Sequence, residues 1–237
     1  MIFIFAYVKK MEYVPEEEVG TYGQLQIYRN LLKMLGDRGY IVEKQVKAAA
    51  KMDEHDFWYR GGEKQLEWKD LNEVFLHKDS KRIPLQTIWI PYIENSDKVK
   101  IDHITKELRV VDPHEKNKHY LFLSDKHLGN PASEKLDNLS DIEYWTYDRL
   151  RIPIPEHFLI DRVEIVPEHE VQEMMKRMQI QRSNFPRMSI QDPTTRWYGL
   201  EPGNVVRLWE STGREVRYRV VDINDYTGTP CKNKIFN

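Results

Sequence analysis

Asp53 or Asp56 followed by Glu67-Trp68-Lys69 has the spacing of an acidic residue and a downstream (Asp/Glu)-x-Lys motif. Such a set can hold magnesium and activate a water molecule for hydrolysis. Asp79-Ser80-Lys81 fits the same short motif, and in a chain with 31% charged residues a few such matches arise by chance. The apolar residues Leu66, Leu71, Val74 and Phe75 predict a helix from Glu63 to His77, whereas the hydrolytic motif belongs on a strand. A metal-dependent nuclease is therefore the alternative reading, and no catalytic residue is expected.

The eight histidines show no metal-ligand spacing. His114 and His119 stand in a polar stretch with no accompanying cysteine or carboxylate pattern, and both are expected to face solvent. One cysteine, Cys231, can make neither an internal disulfide nor a thiolate zinc site, which fits a reducing compartment. There is no glycine-rich phosphate loop and no Gly-x-Ser-x-Gly elbow, so neither a cofactor nor a small-molecule ligand is expected. Two groups of residues suit recognition instead. Arg187 offers a planar guanidinium of the kind that anchors one subunit on another. Lys126, His127 and Lys135, around Asn130-Pro131, can meet phosphates.

The elements that must position these groups follow from hydrophobic periodicity. Leu25, Tyr28, Leu31, Leu32 and Leu35 predict a helix over 21–35 that ends at Gly36. Strands are predicted at Gly39–Val42, Thr87–Ile90 and His119–Leu123, with a helix carrying Ile101, Ile104 and Leu108 after Asp97 as its cap. Alternation of this kind implies a mixed α/β domain over 20–150, preceded by an extension over 1–19. Ile152-Pro153-Ile154-Pro155 favours extended backbone and reads as a linker over 151–157. Beyond it, a helix from Glu168 to Met178 carries Val171, Met174, Met175 and Met178 on one side, as core packing. Asp192-Pro193 starts a short helix that Gly199 stops. Asn204–Glu210 and Glu215–Asp222 form a hairpin around Ser211-Thr212-Gly213. This second, α+β domain spans 158–221, and 222–237 is a C-terminal extension.

With 36 basic against 38 acidic residues the net charge is -2, so no global positive field draws the chain to nucleic acid. The apolar start, Met1–Val8, lacks preceding basic residues and is short for an export signal. No apolar run approaches membrane-spanning length, so a soluble, intracellular protein without a membrane partner is expected.

With Ile165-Val166-Pro167-Glu168-His169, Phe185-Pro186-Arg187-Met188, Trp197-Tyr198-Gly199-Leu200 and Tyr218-Arg219-Val220-Val221 in this order, the second domain resembles the assembly domain of the fifth-largest subunit shared by eukaryotic RNA polymerases I, II and III, a module that stands alone as a small polymerase subunit in archaea. Ile165-Val166-Pro167-Glu168-His169 matches the opening motif of that family, and Phe185-Pro186-Arg187-Met188 leading to Asp192-Pro193 matches the next. Trp197-Tyr198-Gly199-Leu200, through Gly203 to Val205-Val206, is similar to the third motif, and Tyr218-Arg219-Val220-Val221 to the last. In the first domain, Asp37-Arg38-Gly39-Tyr40 matches an Asp-Arg-Gly-Tyr of the eukaryotic subunit, and the loop from His127 to Ser133 is similar to its Thr-Pro-Ser-Ala loop. Departures exist. The segment between His169 and Phe185 is shorter than the family norm, and Glu201-Pro202 replaces a usually basic residue, drift that a copy carried by a large DNA virus would show.

The resemblance implies an α/β jaw domain of restriction-endonuclease-like but inactive fold, plus the assembly domain. It also implies a non-catalytic role in a multisubunit DNA-dependent RNA polymerase. Its partners would be the largest subunit, other subunits, and downstream double-stranded DNA within the complex. Pro167, His169, Pro186, Arg187, Asp192, Pro193, Tyr198, Gly199, Tyr218 and Arg219 would form the subunit interface, and Lys126, His127, Asn130, Pro131 and Lys135 the DNA-proximal loop. A cellular copy would be nuclear; a viral one would occupy the virion or host cytoplasm. A free-standing transcription adaptor is the third reading.

Overall fold

Leu25, Tyr28, Leu31, Leu32 and Leu35 are all buried on one face of helix α1, Gln24–Asp37. The computed structural model describes residues 23–52, 71–90, 98–111, 118–129, 131–132, 136, 141–156, 160–210 and 216–223. The helix runs through Gly36 and stops at Gly39, whose φ of 93° only glycine adopts readily. Gly36 instead serves packing, since a Cβ there would lie 3.3 Å from Val42. Tyr40 and Ile41 do not start a full strand: Tyr40 forms a single bridge with His77, and the Ile41 amide donates to Leu76 O at 2.8 Å. A second helix, α2 (Glu43–Ala49), follows at once. Arg29 donates to Ala49 O at 2.9 Å and to Met52 O at 2.7 Å, closing its C-terminal end.

The predicted helix from Glu63 to His77 is corrected over its last residues. Val74–Phe75 is strand β1, and Thr87 and Asn72 side chains bind the neighbouring backbone at 3.0 Å and 2.8 Å. Leu71 and Phe75 are buried but Val74 is exposed, an alternation that short helical spacing had imitated. The first sheet has the order β1-β2-β3-β4, with β2 Leu85–Trp89, β3 His119–Ser124 and β4 Ile142–Thr146. β1 is antiparallel to β2; the β2–β3 and β3–β4 pairs are parallel. Helix α3, Ile101–Val111, lies in the crossover that parallel pairing of β2 and β3 requires.

This sheet is covered on both faces. Leu85, Trp89, Leu121 and Leu123 join the α1 core, whereas Ile88, Tyr120 and Phe122 join Ile104 of α3. Successive residues of β2 and β3 thus serve opposite layers, so all five positions of β2 are buried. One-turn helix α4, Tyr147–Leu150, leaves the sheet. The buried Asn30 of α1 then grips Leu150 O at 2.6 Å and Arg151 O at 3.0 Å. The proline segment after it is not simply extended: Ile154–Glu156 is a 3-10 turn, and Pro153 is buried. Pro155 is tolerated there because so short a turn needs no donor from its N-terminal positions.

The second sheet has the order β5-β7-β8-β6, with β5 Ile160–Ile165, β6 Arg187–Ser189, β7 Val205–Glu210 and β8 Val216–Asp222. β7 and β8 pair antiparallel, Val205 opposite Val220, as the alternating pattern predicts; β5 and β6, which periodicity does not reveal, are the edges. Helix α5, Glu168–Met178, packs Val171 and Met174 against Val205 and Val220, while Met178 is exposed and lies outside that core. Helix α6, Pro193–Tyr198, starts at Asp192, whose carboxylate accepts the Thr194 amide at 2.8 Å, and ends at Gly199 with φ 59°. Asp53, Asp56, Glu67, Lys69, Asp97, His114, Asn130, Lys135 and Cys231 lie outside the described residues.

A Cβ at Gly39 would meet His77 Nε2 at 2.7 Å, in a backbone conformation that L side chains avoid. Gly39→Ala is therefore expected to lower stability by about 2 kcal/mol or more. Urea denaturation followed by circular dichroism checks this; an unchanged midpoint would contradict the clamp.

Candidate docking surface and the junction between the sheets

Arg38 ends α1 with its side chain only 5% exposed, so its donors depend on partners within the protein. Its guanidinium takes a bidentate grip on Glu143 of β4, at 2.8 and 2.9 Å. The remaining donors turn to α6: Nε binds Trp197 O at 3.0 Å and a terminal nitrogen binds Arg196 O at 2.5 Å. A cation thus caps the carbonyl end of a short helix from the other sheet. Beside it, Trp197 Nε1 donates to Asp37 Oδ2 at 2.8 Å, and the fully buried indole belongs to the core of the first sheet. Gly199 is favoured by its left-handed φ of 59° more than by space, since a Cβ there would be in ordinary contact with the Arg38 side chain at 3.4 Å.

Arg196 completes the junction. It donates to Tyr144 O at 2.7 Å on edge strand β4, and its guanidinium lies 4.6 Å from the centre of the Trp145 ring. Trp145 in turn donates to Glu143 Oε1 at 2.5 Å. His77 steadies the base of the cluster. Its Nδ1 accepts the Asp79 amide at 2.9 Å, so the ring proton sits on Nε2, which donates to Arg38 O at 3.0 Å. Burial pushes the Tyr40 hydroxyl above its usual range, and burial lowers His119. His119 is half-buried at the start of β3, which corrects the expectation of a solvent-facing histidine.

The ten residues expected at a subunit interface separate into two sets. Asp192 and Pro193 build the start of α6, and Tyr198 and Gly199 face the junction, so these four have internal work. Pro167, His169, Pro186 and Arg187 are exposed. Arg187 reaches Asp222 at 3.1 Å with its side chain still 60% exposed, which leaves the guanidinium addressable. Tyr218 and Arg219 are partly buried; Arg207 donates to the Tyr218 hydroxyl at 3.1 Å and also meets Glu164 and Glu170. In the basic loop, His127 and Pro131 are exposed and Lys126 is half-buried, with Lys126 O accepting the Tyr144 hydroxyl at 2.5 Å. The loop is pinned to Val99 by His127 O and the Gly129 amide. Among the described residues no group of three His, Cys, Asp or Glu could hold a metal ion, and no helix is long and apolar enough to cross a membrane.

Sequence reasoning missed Glu143, Trp145 and Arg196. The signal that could have found the junction was the pair of motifs Asp37–Tyr40 and Trp197–Gly199, which meet here although they are far apart in the chain.

Comparison with known proteins agrees with the motifs. Residues 152–221 match the family described as RNA polymerase Rpb5, C-terminal domain. Subunit RPABC1 of DNA-directed RNA polymerases I, II and III from Caenorhabditis briggsae is 25% identical over 216 residues, covering 88% of this chain and 100% of the relative. The corresponding subunit from Dictyostelium discoideum is 24% identical over 204 residues, covering 83% and 95%. DNA-directed RNA polymerase V subunit 5A from Arabidopsis thaliana is 26% identical over 197 residues, covering 81% and 85%. The resemblance read from the sequence is thereby borne out, at low identity over most of the chain.

Removing Arg38 strands a carboxylate and two helix-end carbonyls. Arg38→Met is expected to destabilise the protein by about 3–5 kcal/mol. Arg38→Lys should recover little of that, since an ammonium cannot reproduce the fork. Thermal unfolding of the two variants checks both statements; full rescue by lysine would contradict the geometry.

Proposed function

We propose that this chain is a structural, non-catalytic subunit of a multisubunit DNA-dependent RNA polymerase. The match of residues 152–221 to the Rpb5 C-terminal domain carries the reading, together with relatives named as polymerase subunits. In it, residues 158–221 dock on the largest subunit, the 151–157 segment joins them to a jaw over 20–150, and that jaw helps to position downstream DNA. The flanking stretches, 1–19 and 222–237, are extensions.

Exposed motif residues support the docking role. Pro167, His169, Pro186 and Arg187 are solvent-facing, and Arg187 keeps most of its guanidinium open beside Asp222. A half-satisfied planar cation of this kind suits an interface anchor. Tyr218 and Arg219 lie close by in the paired strands: Arg187 stands opposite Val220 across β6 and β8. For the jaw, the supporting feature is a mostly parallel sheet covered on both faces, which suits an inactive endonuclease-like scaffold. The pinned loop with Lys126, His127 and Pro131, continued by Asn130 and Lys135 in the sequence, can supply one or two phosphate contacts. Within an enclosing assembly that is enough to set register. Localisation then follows the polymerase, nuclear for a cellular copy and virion or host cytoplasm for a viral one.

Affinity purification of the tagged full chain from its native source is expected to recover the two largest polymerase subunits, identified by mass spectrometry. A chain that elutes alone would instead support an adaptor. Arg187→Glu, at an exposed position, should leave the melting temperature nearly unchanged and reduce recovery of the largest subunit about tenfold, the loss of one charge-assisted contact. Magnesium-supported DNA cleavage should be absent from the wild-type protein; robust cleavage abolished by Glu67→Ala would establish the nuclease instead.

A further inference from the structure

The two faces of the second sheet are covered unequally. On one, α5 packs Val171 and Met174 over Val205 and Val220. On the other, Met188, Ile190 and Leu200 gather around Val206 and Val221, at one end only. Register shows what occupies the remainder of that second face. Ile165 stands opposite Val206, and Val206 opposite Arg219; Val163 stands opposite Leu208, and Leu208 opposite Arg217. Residues opposite one another across paired strands share a face. Ile165 is 50% exposed there, and Val163, Leu208 and Arg219 are half-buried.

Arg219 differs from the other arginines of this sheet. Arg207 meets Glu164 and Glu170 on the α5 face, and Arg187 meets Asp222. Among the described residues the Arg219 guanidinium has no hydrogen-bond or ion-pair partner. Its neighbours in the ladder are Val206 across β7, Asn204 and Leu208 on either side of that, and Pro186 towards β6. None is acidic. Glu201, in the turn before Asn204, lies 4.0 Å from Arg82. Asp161, at the β5 bulge, and Glu210, at the end of β7, stand beyond Leu208, at the end where Arg217 lies. Over the whole face two arginines and two acidic residues balance; around Arg219 they do not. A cation partly withdrawn from water without a partner costs stability in the isolated chain. A carboxylate meeting the guanidinium fork, with aliphatic side chains excluding water around it, offsets that cost.

We infer that this half-covered face docks an aliphatic segment of the largest polymerase subunit, one that aims a single aspartate or glutamate at Arg219. The inference rests on the polymerase-subunit reading and adds to it the face that is used. Val163, Ile165 and Leu208 receive the aliphatic side chains, and Arg219 fixes the register of the segment. From Ile165 to Arg219 the face crosses two inter-strand spacings, about 10 Å, so one segment reaches both. Arg187, on the opposite face of β6, is a separate contact.

The test compares the tagged full chain with its Arg219→Leu and Ile165→Asp variants, each purified from the native source. It reads recovery of the largest subunit and the melting temperature of the free chain. Both variants are expected to reduce recovery at least about tenfold. Neither should melt below the wild type, since Arg219 loses no internal partner and Ile165 is exposed. Undiminished recovery by either variant, with the wild type still capturing the polymerase, would overturn the inference and leave the polymerase reading intact. A lowered melting temperature for Arg219→Leu would also overturn it, by giving the arginine internal work. Capture of no polymerase subunit by the wild type would overturn both.

Discussion

A guanidinium that is nearly buried needs partners for its donors, and in this protein Arg38 finds them on strand β4 of the first sheet and on helix α6. The contacts that join the two halves gather around it. Glu143 supplies the charge, the end of α6 supplies the carbonyls, and Trp197 fills the core space beside Asp37. The contacts reinforce one another because they share atoms: Glu143 serves both Arg38 and Trp145, and both Arg38 and Arg196 lie over the Trp145 ring. An apolar contact alone would have allowed the sheets to slide. A bidentate pair with helix-end carbonyls on its far side specifies one orientation.

Strands β2, β3, β7 and β8 were legible from the sequence, whereas β1, β4, β5 and β6 were not and the strand expected at Gly39–Val42 is absent from the described residues. Helices α1 and α5 showed a 3.6-residue apolar period, and Asp192, Pro193 and Gly199 marked the two ends of α6 by local backbone chemistry. Strand β1 failed because it is two residues long and its inward positions mimic a helical face. Edges β5 and β6 failed because an edge strand need not alternate cleanly, and β6 has only three residues. The glycine that stops α1 was misassigned by three positions. Gly36 and Gly39 look alike in sequence, and only the left-handed φ at Gly39 distinguishes them.

How the motif residues divide between the interior and the surface was not legible in the sequence. Motif residues around Asp192–Gly199 read as surface docking elements, yet they form a peg into the first sheet. That division depends on contacts between Asp37-Arg38 and Trp197, about 160 residues apart, which no local spacing can display. Arg187 and Pro186 before it remain outside, with Pro167 and His169 on the exposed start of α5. The motif therefore divides along one short stretch of chain, some residues packed inward and others exposed.

Strand β4 is an edge of the first sheet, and its Tyr144 carbonyl is covered by Arg196. The ribosome delivers β4 well before α6. Without α6, the β4 edge would lose the Arg196 cover of Tyr144 O, the first core would lose the Trp197 indole, and Arg38 would lose two carbonyl acceptors. Such a surface is a template for association with other chains. One short helix, α6, thus both fills the core beside α1 with the Trp197 indole and covers a carbonyl of the β4 edge through Arg196.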